Sequence, residues 1–156
     1  MHKEKLIKKG RFENIKVISL GEEHIDACTR LDLLSLNGLW SKKQWGIELT
    51  NSKRVCIGII SLSTLLAMAS GWIVSNELQI TIVAVHPDHR NKGLGKLVLS
   101  SLISKAQASG IKTATLEVKE SNEPAKQMYK SLGFRIAGKR ADFYKDGSDA
   151  LILWLD

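Results

Sequence analysis

The stretch VHPDHRNKGLGK, residues 85–96, joins a proline turn, basic side chains and two closely spaced glycines directly after an apolar run. Its cations and glycines are Arg90, Lys92, Lys96, Gly93 and Gly95. If a helix begins here, its free N–H groups and its dipole favour an anion, and glycine lets the backbone approach it closely. The stretch therefore predicts a pyrophosphate site, and a glycine-containing turn with solvated cations is the alternative.

Two other phosphate-binding motifs fit these residues less well. The P-loop GxxxxGK requires Ser or Thr next, where this chain has Leu97. The dinucleotide fingerprint GxGxxG requires a third glycine where Val98 stands. Glu117 does lie near the position expected of a ribose-binding acid. The P-loop is excluded, and the dinucleotide site stays open as a weaker alternative.

Glu117 and Tyr129 are the side chains that could move a proton near such a site. Glu117 interrupts an apolar strand between Leu116 and Val118, where Glu is disfavoured. From the residues alone, an exposed salt bridge is its more common role. Tyr129 lies in a short predicted helix, where a half-buried core aromatic is the more common outcome.

The elements that must position these residues are predicted from apolar periodicity and turn residues. A strand from Asn14 leads into helices at 21–36 and 42–49, the second capped by Ser41, and then three strands at 54–60, 64–74 and 77–85. Next come a helix at 94–108 ended by Gly110, a strand at 113–119, a short helix after Asn122 and strands at 134–144 and 149–155. The order βααβββαβαββ predicts an α/β fold with a mixed sheet.

Length and charge predict one domain with a basic N-terminal extension. The chain has 156 residues, 44% hydrophobic and 25% charged, and a net charge of +7. Residues 1–16 hold six cations against two carboxylates. We expect residues 1–13 to be a flexible, solvated extension and residues 14–156 to form the domain. Contact of the extension with RNA or a ribosome is the alternative.

The sequence predicts neither a metal site nor a membrane anchor. Cys28 and Cys56 lack a CxxC partner, so we expect two reduced, buried thiols. His86 and His89 lack a third ligand. The chain shows no apolar run of membrane-span length and no secretory signal, so we expect a cytoplasmic protein without membrane contact.

RNKGLG, residues 90–95, matches the Q/R-x-x-G-x-G/A pyrophosphate loop of the GCN5-related N-acetyltransferases (GNATs), and the predicted element order is that of this family. The chain most closely resembles the bacterial ribosomal-protein-alanine N-acetyltransferases, the RimI type. LEV, SN, MY and LGF recur between residues 83 and 134 at the spacing of that group. The resemblance extends from about Ile15 to Leu153. It implies a GNAT fold with a sheet splayed in its middle, and acetyl-CoA as the donor.

The resemblance also implies roles for individual residues. The backbone of Val83, Ala84 and Val85 would meet the pantetheine arm as an added strand does, with an oxyanion donor near Val85. The pyrophosphate would be held by Arg90, Asn91, Lys92, Gly93, Leu94, Gly95 and Lys96. Asn122 would bond the cofactor near the thioester, or serve as a helix cap. Glu117 would be the general base, acting through water, and Tyr129 the general acid for the thiolate.

Trp40 and Tyr144 are the predicted acceptor-binding residues, and the chain departs from the family beside both. Phe143–Tyr144 stands where many relatives carry paired tyrosines, and Leu39 replaces their proline. We expect acetylation of the N-terminal α-amine of a protein, with alanine of a small-subunit ribosomal protein as the leading candidate. A small-molecule amine acceptor, or a non-catalytic CoA-binding or ribosome-associated module, are the alternatives.

Overall fold

This computed structural model describes residues 14–156 and the backbone of residues 5–6. All the strands in this part of the chain belong to one sheet. The strands are β1 Lys5–Leu6, β2 Ile15–Ser19, β3 Arg54–Ser61, β4 Thr64–Val74, β5 Glu77–Val85, β6 Thr113–Lys119, β7 Arg135–Arg140 and β8 Ala150–Leu155. Their spatial order is β1-β2-β3-β4-β5-β6-β8-β7. The β5–β6 pair is parallel and the other neighbours are antiparallel.

The helices are α1 Ile25–Ser35, α2 Lys42–Thr50, α3 Leu94–Ala108 and α4 Glu123–Ser131, with a 3-10 turn at Glu22–His24. Ser41 caps α2 as predicted, because its hydroxyl accepts a hydrogen bond from the amide of Gln44 at 3.1 Å. From β2 onward the element order is the predicted one, and the mixed α/β fold is confirmed. The short β1 is an addition that the sequence did not predict.

Two apolar clusters lie on the two faces of the sheet. One contains the buried side of α3, including Val98, Leu99 and Leu102, and the other contains residues of α1 and α2, including Leu31 and Trp45. Residues of β3, β4 and β5 supply both clusters, and the face of β5 that meets each cluster changes at residue 81, where an extra residue interrupts the alternation of side chains. The helices therefore cover both faces of the central strands.

The two cysteines are buried in the second cluster, as predicted. Cys28 is fully buried and Cys56 is 6% exposed, and both thiols are free. Burial raises the pKa of both thiols above its ordinary value. The thiols are therefore protonated at neutral pH, and they act as core side chains.

The sheet is splayed at its middle, as the resemblance implied. The pairing of β5 with β6 involves only residues 77–79 and 113–115. The rest of β5 continues along β4, and the rest of β6 continues along β8. A register shift at Ser70 and Gly71 leaves Thr81 as an extra residue in β5 at the point where the strands part.

The prediction that the strand at 134–144 runs to Tyr144 is wrong. β7 ends at Arg140. Asp142 has a φ of +52°, and its amide donates to the carboxylate of Asp149 at 2.9 Å. This left-handed residue and its hydrogen bond divert the chain out of the strand.

Most of the predicted N-terminal extension, residues 1–4 and 7–13, lies outside the described residues. Within it, Lys5 and Leu6 pair with Val17 and Lys16 of β2. The flexibility of the extension therefore stays a prediction. Among the helices described above, none is long and apolar enough to cross a membrane.

Candidate active site

The separation of β5 from β6 opens a cleft at the predicted cofactor strand. Val83, Ala84 and Val85 pair on one side with residues 67–69 of β4. On the other side, the described part of β6 pairs with β5 no further than Gln79. An open strand edge presents N–H and C=O groups at strand spacing, and an extended amide chain can pair with them. The cleft is therefore suited to a linear ligand.

The β5–α3 connection turns the chain from this edge into the start of α3. Pro87–His89 forms a 3-10 turn, and Asn91 and Gly93 take left-handed conformations with φ of +60° and +85°. Arg90 donates its Nε–H to the carbonyl of Val85 at 3.2 Å. The connection is thus fixed to the end of the open strand.

The start of α3 has no side-chain cap. Its N-cap is Gly93, and the amide of Leu97 donates to the Gly93 carbonyl at 3.1 Å. The three preceding amides, of residues 94–96, have no acceptor within the helix. A Cβ placed on Gly93 would meet no atom within 4 Å. Free amides, open space and the nearby Arg90, Lys92 and Lys96 form a suitable environment for a diphosphate.

Gly95 has a packing role that the sequence did not predict. A Cβ on Gly95 would lie 3.2 Å from Sδ of Met128 and 3.5 Å from Cγ2 of Val85. The space beside Gly95 is therefore taken by α4 and β5. This glycine lets α3 approach both elements, and its contribution to an anion site is limited to its amide.

Asn122 is the N-cap of α4. Its Oδ1 accepts a hydrogen bond from the amide of Ala125 at 3.2 Å, and Pro124 follows within the first turn. The predicted capping role is confirmed. The cap places the Asn122 side chain at the end of α4 that follows β6.

Glu117 lies on β6 opposite Ile152 of β8. Its side chain is 37% exposed, and its Oε1 lies 3.4 Å from Nε of Arg140 on β7. The predicted salt bridge is therefore present, and Arg140 is a neighbour that sequence reasoning missed. The neighbouring β6 residues Leu116 and Val118 enter the α3 side of the core, so Glu117 faces the opposite side of the sheet.

Tyr129 and Tyr144 are the two tyrosines that were predicted to lie in the site. Tyr129, on α4, is 9% exposed and meets Phe134 edge to face at 6.0 Å between ring centres. Burial, and to a lesser extent Tyr144, raise the pKa of Tyr129 to about 12. The pKa of Tyr144 is raised above its ordinary value, because burial and the Glu117 carboxylate raise it more than Lys119 lowers it. Tyr144 therefore interacts electrostatically with both Glu117 and Tyr129, and its ring centre lies 5.2 Å from Nζ of Lys119, two residues beyond Glu117 on β6. Tyr129 holds its proton at neutral pH.

Trp40 lies on the α1–α2 connection and packs against the apolar cluster that contains α1 and α2. Its ring meets Trp45 edge to face at 4.7 Å, and its amide donates to the buried carboxylate of Asp32 at 2.9 Å. The guanidinium carbon of Arg54 lies 5.0 Å from the centre of the Trp40 ring. Sequence reasoning missed Asp32 and Arg54, because these contacts join distant positions and no local spacing signals them.

His86 has a structural role in the β5–α3 turn. Its Nδ1 accepts a hydrogen bond from the amide of Asp88 at 3.1 Å. Its ring meets that of His89 edge to face at 5.1 Å. In residues 14–156, no group of three His, Cys, Asp or Glu side chains is arranged to hold a metal ion.

Comparison with known proteins shows which family the chain matches. A family model described as the acetyltransferase (GNAT) family matches residues 18–134. A Bacillus subtilis (strain 168) protein named putative [ribosomal protein bS18]-alanine N-acetyltransferase is 33% identical over 135 residues. The match covers 85% of this chain and 89% of that protein.

Two solved structures show the same fold. The ribosomal-protein-S18-alanine N-acetyltransferase from Escherichia coli superposes with a TM-score of 0.82 at 29% identity, covering 90% of this chain and 92% of that one. A PaiA N-acetyltransferase from Thermoplasma acidophilum, in complex with coenzyme A, gives a TM-score of 0.77 at 18% identity. This match covers 92% of this chain and 99% of that one.

Proposed function

Because this chain belongs to the acetyltransferase (GNAT) family and is an acetyl-CoA-dependent N-acetyltransferase, we propose that its acceptor is the N-terminal α-amine of a protein. The observation that carries the proposal is that Glu117, on the part of β6 that no longer pairs with β5, and the buried, protonated Tyr129 both interact electrostatically with Tyr144. A proton acceptor and a proton donor at one cleft suit transfer to an amine. A module that only binds CoA needs neither.

The cleft fits acetyl-CoA in two respects. The open edge of β5 at residues 83–85 offers backbone groups to the amides of the pantetheine arm. The uncapped start of α3, with no atom within 4 Å of a Cβ on Gly93, leaves room for the diphosphate. We assign the diphosphate to residues 90–96 and a hydrogen bond near the thioester to Asn122. When bound, acetyl-CoA supplies the activated acetyl group.

Glu117 and Tyr129 divide the proton transfers between them. Glu117, partly exposed at the cleft, takes the proton of the acceptor amine, and a water molecule can relay it. Tyr129 Oη, still protonated because its pKa is raised to about 12, gives a proton to the leaving thiolate. An amide at the end of β5, near Val85, is the group we assign to the developing oxyanion.

The free energy of deprotonation favours an α-amine as the acceptor. The reacting amine must be neutral, and an α-amine with a pKa of about 8 needs only about 1 kcal/mol at pH 7. A lysine side chain with a pKa of about 10.4 needs about 4 to 5 kcal/mol. A single, partly exposed carboxylate can meet the first cost more easily than the second.

The leading acceptor is the N-terminal alanine of a small-subunit ribosomal protein. The names of the Bacillus subtilis and Escherichia coli proteins described above support this assignment. We assign the acceptor walls to Trp40 and Tyr144. Leu39 and Phe143, where the chain departs from many relatives, are next to these two residues. We therefore expect the preference for the first residue of the acceptor protein to differ from that of those relatives.

The test is acetylation of a peptide that carries both a free N-terminal alanine and an internal lysine. Mass spectrometry of the products should locate the acetyl group on the α-amine. The matched control is the same peptide with its N-terminus blocked, which should react far more slowly. Acetylation mainly on the lysine would contradict the proposal. Rapid acetylation of a free small amine, with no peptide modified, would instead support the small-molecule alternative.

A further inference from the structure

Arg54, on β3, is a buried cation that the proposed chemistry does not use. Its side chain is 2% exposed and pairs with Glu48 of α2, whose side chain is 10% exposed. One terminal nitrogen of Arg54 donates to the hydroxyl of Ser70 at 2.7 Å and to that of Thr81 at 3.0 Å. The guanidinium thus bonds groups on α2, β4 and β5 at once.

The same guanidinium contacts two indole rings. Its central carbon lies 5.0 Å from the ring centre of Trp40 and 4.1 Å from that of Trp72. A planar cation over an aromatic face is an attractive and orienting contact, and a lysine ammonium cannot reproduce its shape. The Trp40 ring therefore contacts Arg54 on one side and the Trp45 ring at 4.7 Å.

Arg54 contacts one residue beside the proposed cofactor site and one residue of the proposed acceptor site. Thr81 is the extra residue of the β5 bulge, two positions before Val83 on the proposed cofactor strand. Trp40 belongs to the proposed acceptor wall. Its backbone is already fixed, because the fully buried carboxylate of Asp32 accepts hydrogen bonds from the amides of Leu39 and Trp40. Asp32 fixes the main chain of this wall, and Arg54 contacts both its ring and Thr81 of β5.

Stability alone is a weak reason for this arrangement. Burying an ion pair costs the hydration of both charges, and an apolar pair of similar volume often serves as well or better. A buried pair does fix geometry, because only one arrangement satisfies all of its hydrogen bonds. The hydrogen bonds of Arg54 hold its guanidinium in one place, and the Trp40 ring contacts that guanidinium.

We propose that Arg54 is a positioning residue of the acceptor site: it holds the Trp40 ring at a set position relative to the β5 bulge. The acceptor amine must approach the acetyl group closely and in line, so a small displacement of the wall that guides it slows transfer. The proposal rests on the proposed function, since it takes Trp40 to contact the acceptor.

The first test compares Arg54→Lys with Arg135→Lys. Both changes keep the charge and remove a guanidinium, but Arg135 is 60% exposed, pairs only loosely with Asp156 at 3.4 Å, and lies at the start of β7. Arg54→Lys should lower kcat/KM for the acceptor by about tenfold to a hundredfold, mainly through kcat, because the bound amine is misaligned. The affinity for acetyl-CoA by calorimetry should be unchanged. Arg135→Lys should change neither quantity.

The second test asks whether Arg54 acts through Trp40. In a Trp40→Ala background the ring to be positioned is gone, so Arg54→Lys should cause little further loss of kcat/KM. A double-mutant cycle measures this coupling directly. The acceptor in all assays is whichever amine the unmodified protein acetylates best. Failure of the unmodified protein on peptides therefore counts against the proposed function and still leaves the role of Arg54 measurable.

Two results would overturn the inference. If Arg54→Lys lowers the melting temperature but leaves kcat/KM for the acceptor unchanged, Arg54 has only a structural role. If its loss of kcat/KM is as large in the Trp40→Ala background as in the unmodified protein, the effect does not pass through Trp40.

Discussion

Arg140 is the neighbour of Glu117 that could not be predicted from the local sequence. The register of β7, β8 and β6 places Arg140 opposite Ala150, and Ala150 opposite Lys119. A bulge between Ile136 and Gly138 sets that register. The side chains of Arg140 and Glu117 are 56% and 37% exposed, and an exposed pair of this kind contributes little to stability. The carboxylate is therefore available to an incoming amine.

Removal of either proposed proton-transfer group should slow the chemical step and spare cofactor binding. Glu117→Gln and Tyr129→Phe keep the shape of each side chain but cannot accept or donate the proton. Each should lower kcat by about a hundredfold to ten-thousandfold. Steady-state kinetics measures this loss, and calorimetry with acetyl-CoA should give nearly unchanged affinity.

Glu120→Gln is the matched control for the carboxylate. Glu120 lies three residues from Glu117, and its side chain is 47% exposed and paired with Lys139 at 2.9 Å. This variant should keep the kcat of the unmodified protein. Near-normal turnover in Glu117→Gln and Tyr129→Phe, under conditions where chemistry limits the rate, would refute both assigned roles.

At the scale of elements, the boundaries of β4, β5, α3 and β6 were predicted residue for residue. Local signals fix them. Ser75 and Asn76 take left-handed conformations in the hairpin turn, with φ of +48° and +65°. Pro87 ends β5, and Gly110, with a φ of +89°, ends α3. Where the chain itself specifies a turn, the sequence is sufficient to locate the element.

The remainder depends on contacts between distant positions. The end of β7 depends on the carboxylate of Asp149. It accepts a hydrogen bond from the amide of Asp142, seven residues earlier in the chain. The residues that hold Trp40, namely Asp32 and Arg54, lie on α1 and β3. Gly95 resembled part of an anion loop, but its contact with Met128 arises only once α3 and α4 pack together. Periodicity and turn chemistry carry no signal for such contacts.

The two ends of α3 offer a controlled test of the diphosphate site. Gly93 and Gly110 have nearly the same left-handed φ, +85° and +89°, and a Cβ on either meets no atom within 4 Å. Valine at either position therefore carries a similar backbone strain. Gly93→Val should abolish acetyl-CoA binding, because its side chain would occupy the space assigned to the diphosphate. Gly110→Val should bind with normal affinity.

Calorimetry on both variants, with melting temperatures to compare the shared strain, decides the assignment. Equal affinity for acetyl-CoA in the two variants would show that the start of α3 does not hold the diphosphate. Tight binding of NADH by the unmodified protein would revive the dinucleotide alternative.

At the scale of the whole molecule, positive charge is concentrated at the N-terminus. Residues 1–12 contain five cations and one carboxylate, a net charge of +4 out of +7 for the chain. The family match begins only at residue 18. A basic segment can bind RNA by releasing phosphate counterions, and the proposed ribosomal acceptor would bring RNA close to it. The charge of the N-terminal residues can therefore be tested separately from catalysis.

Deletion of residues 1–12 should leave kcat and KM on a short peptide unchanged. β1 is an edge strand that pairs only at Lys16 and Val17, and β2 keeps its full pairing with β3 after the deletion. A second variant, with the five cations replaced by glutamine, separates loss of charge from loss of β1.

The measurement is the rate of acetylation of a short peptide and of an intact small ribosomal subunit, at low and high salt. A loss on the subunit alone, in both variants and only at low salt, would assign the extension a docking role. A cooperative loss of structure in the deletion variant would instead refute the prediction that residues 1–13 are a dispensable extension.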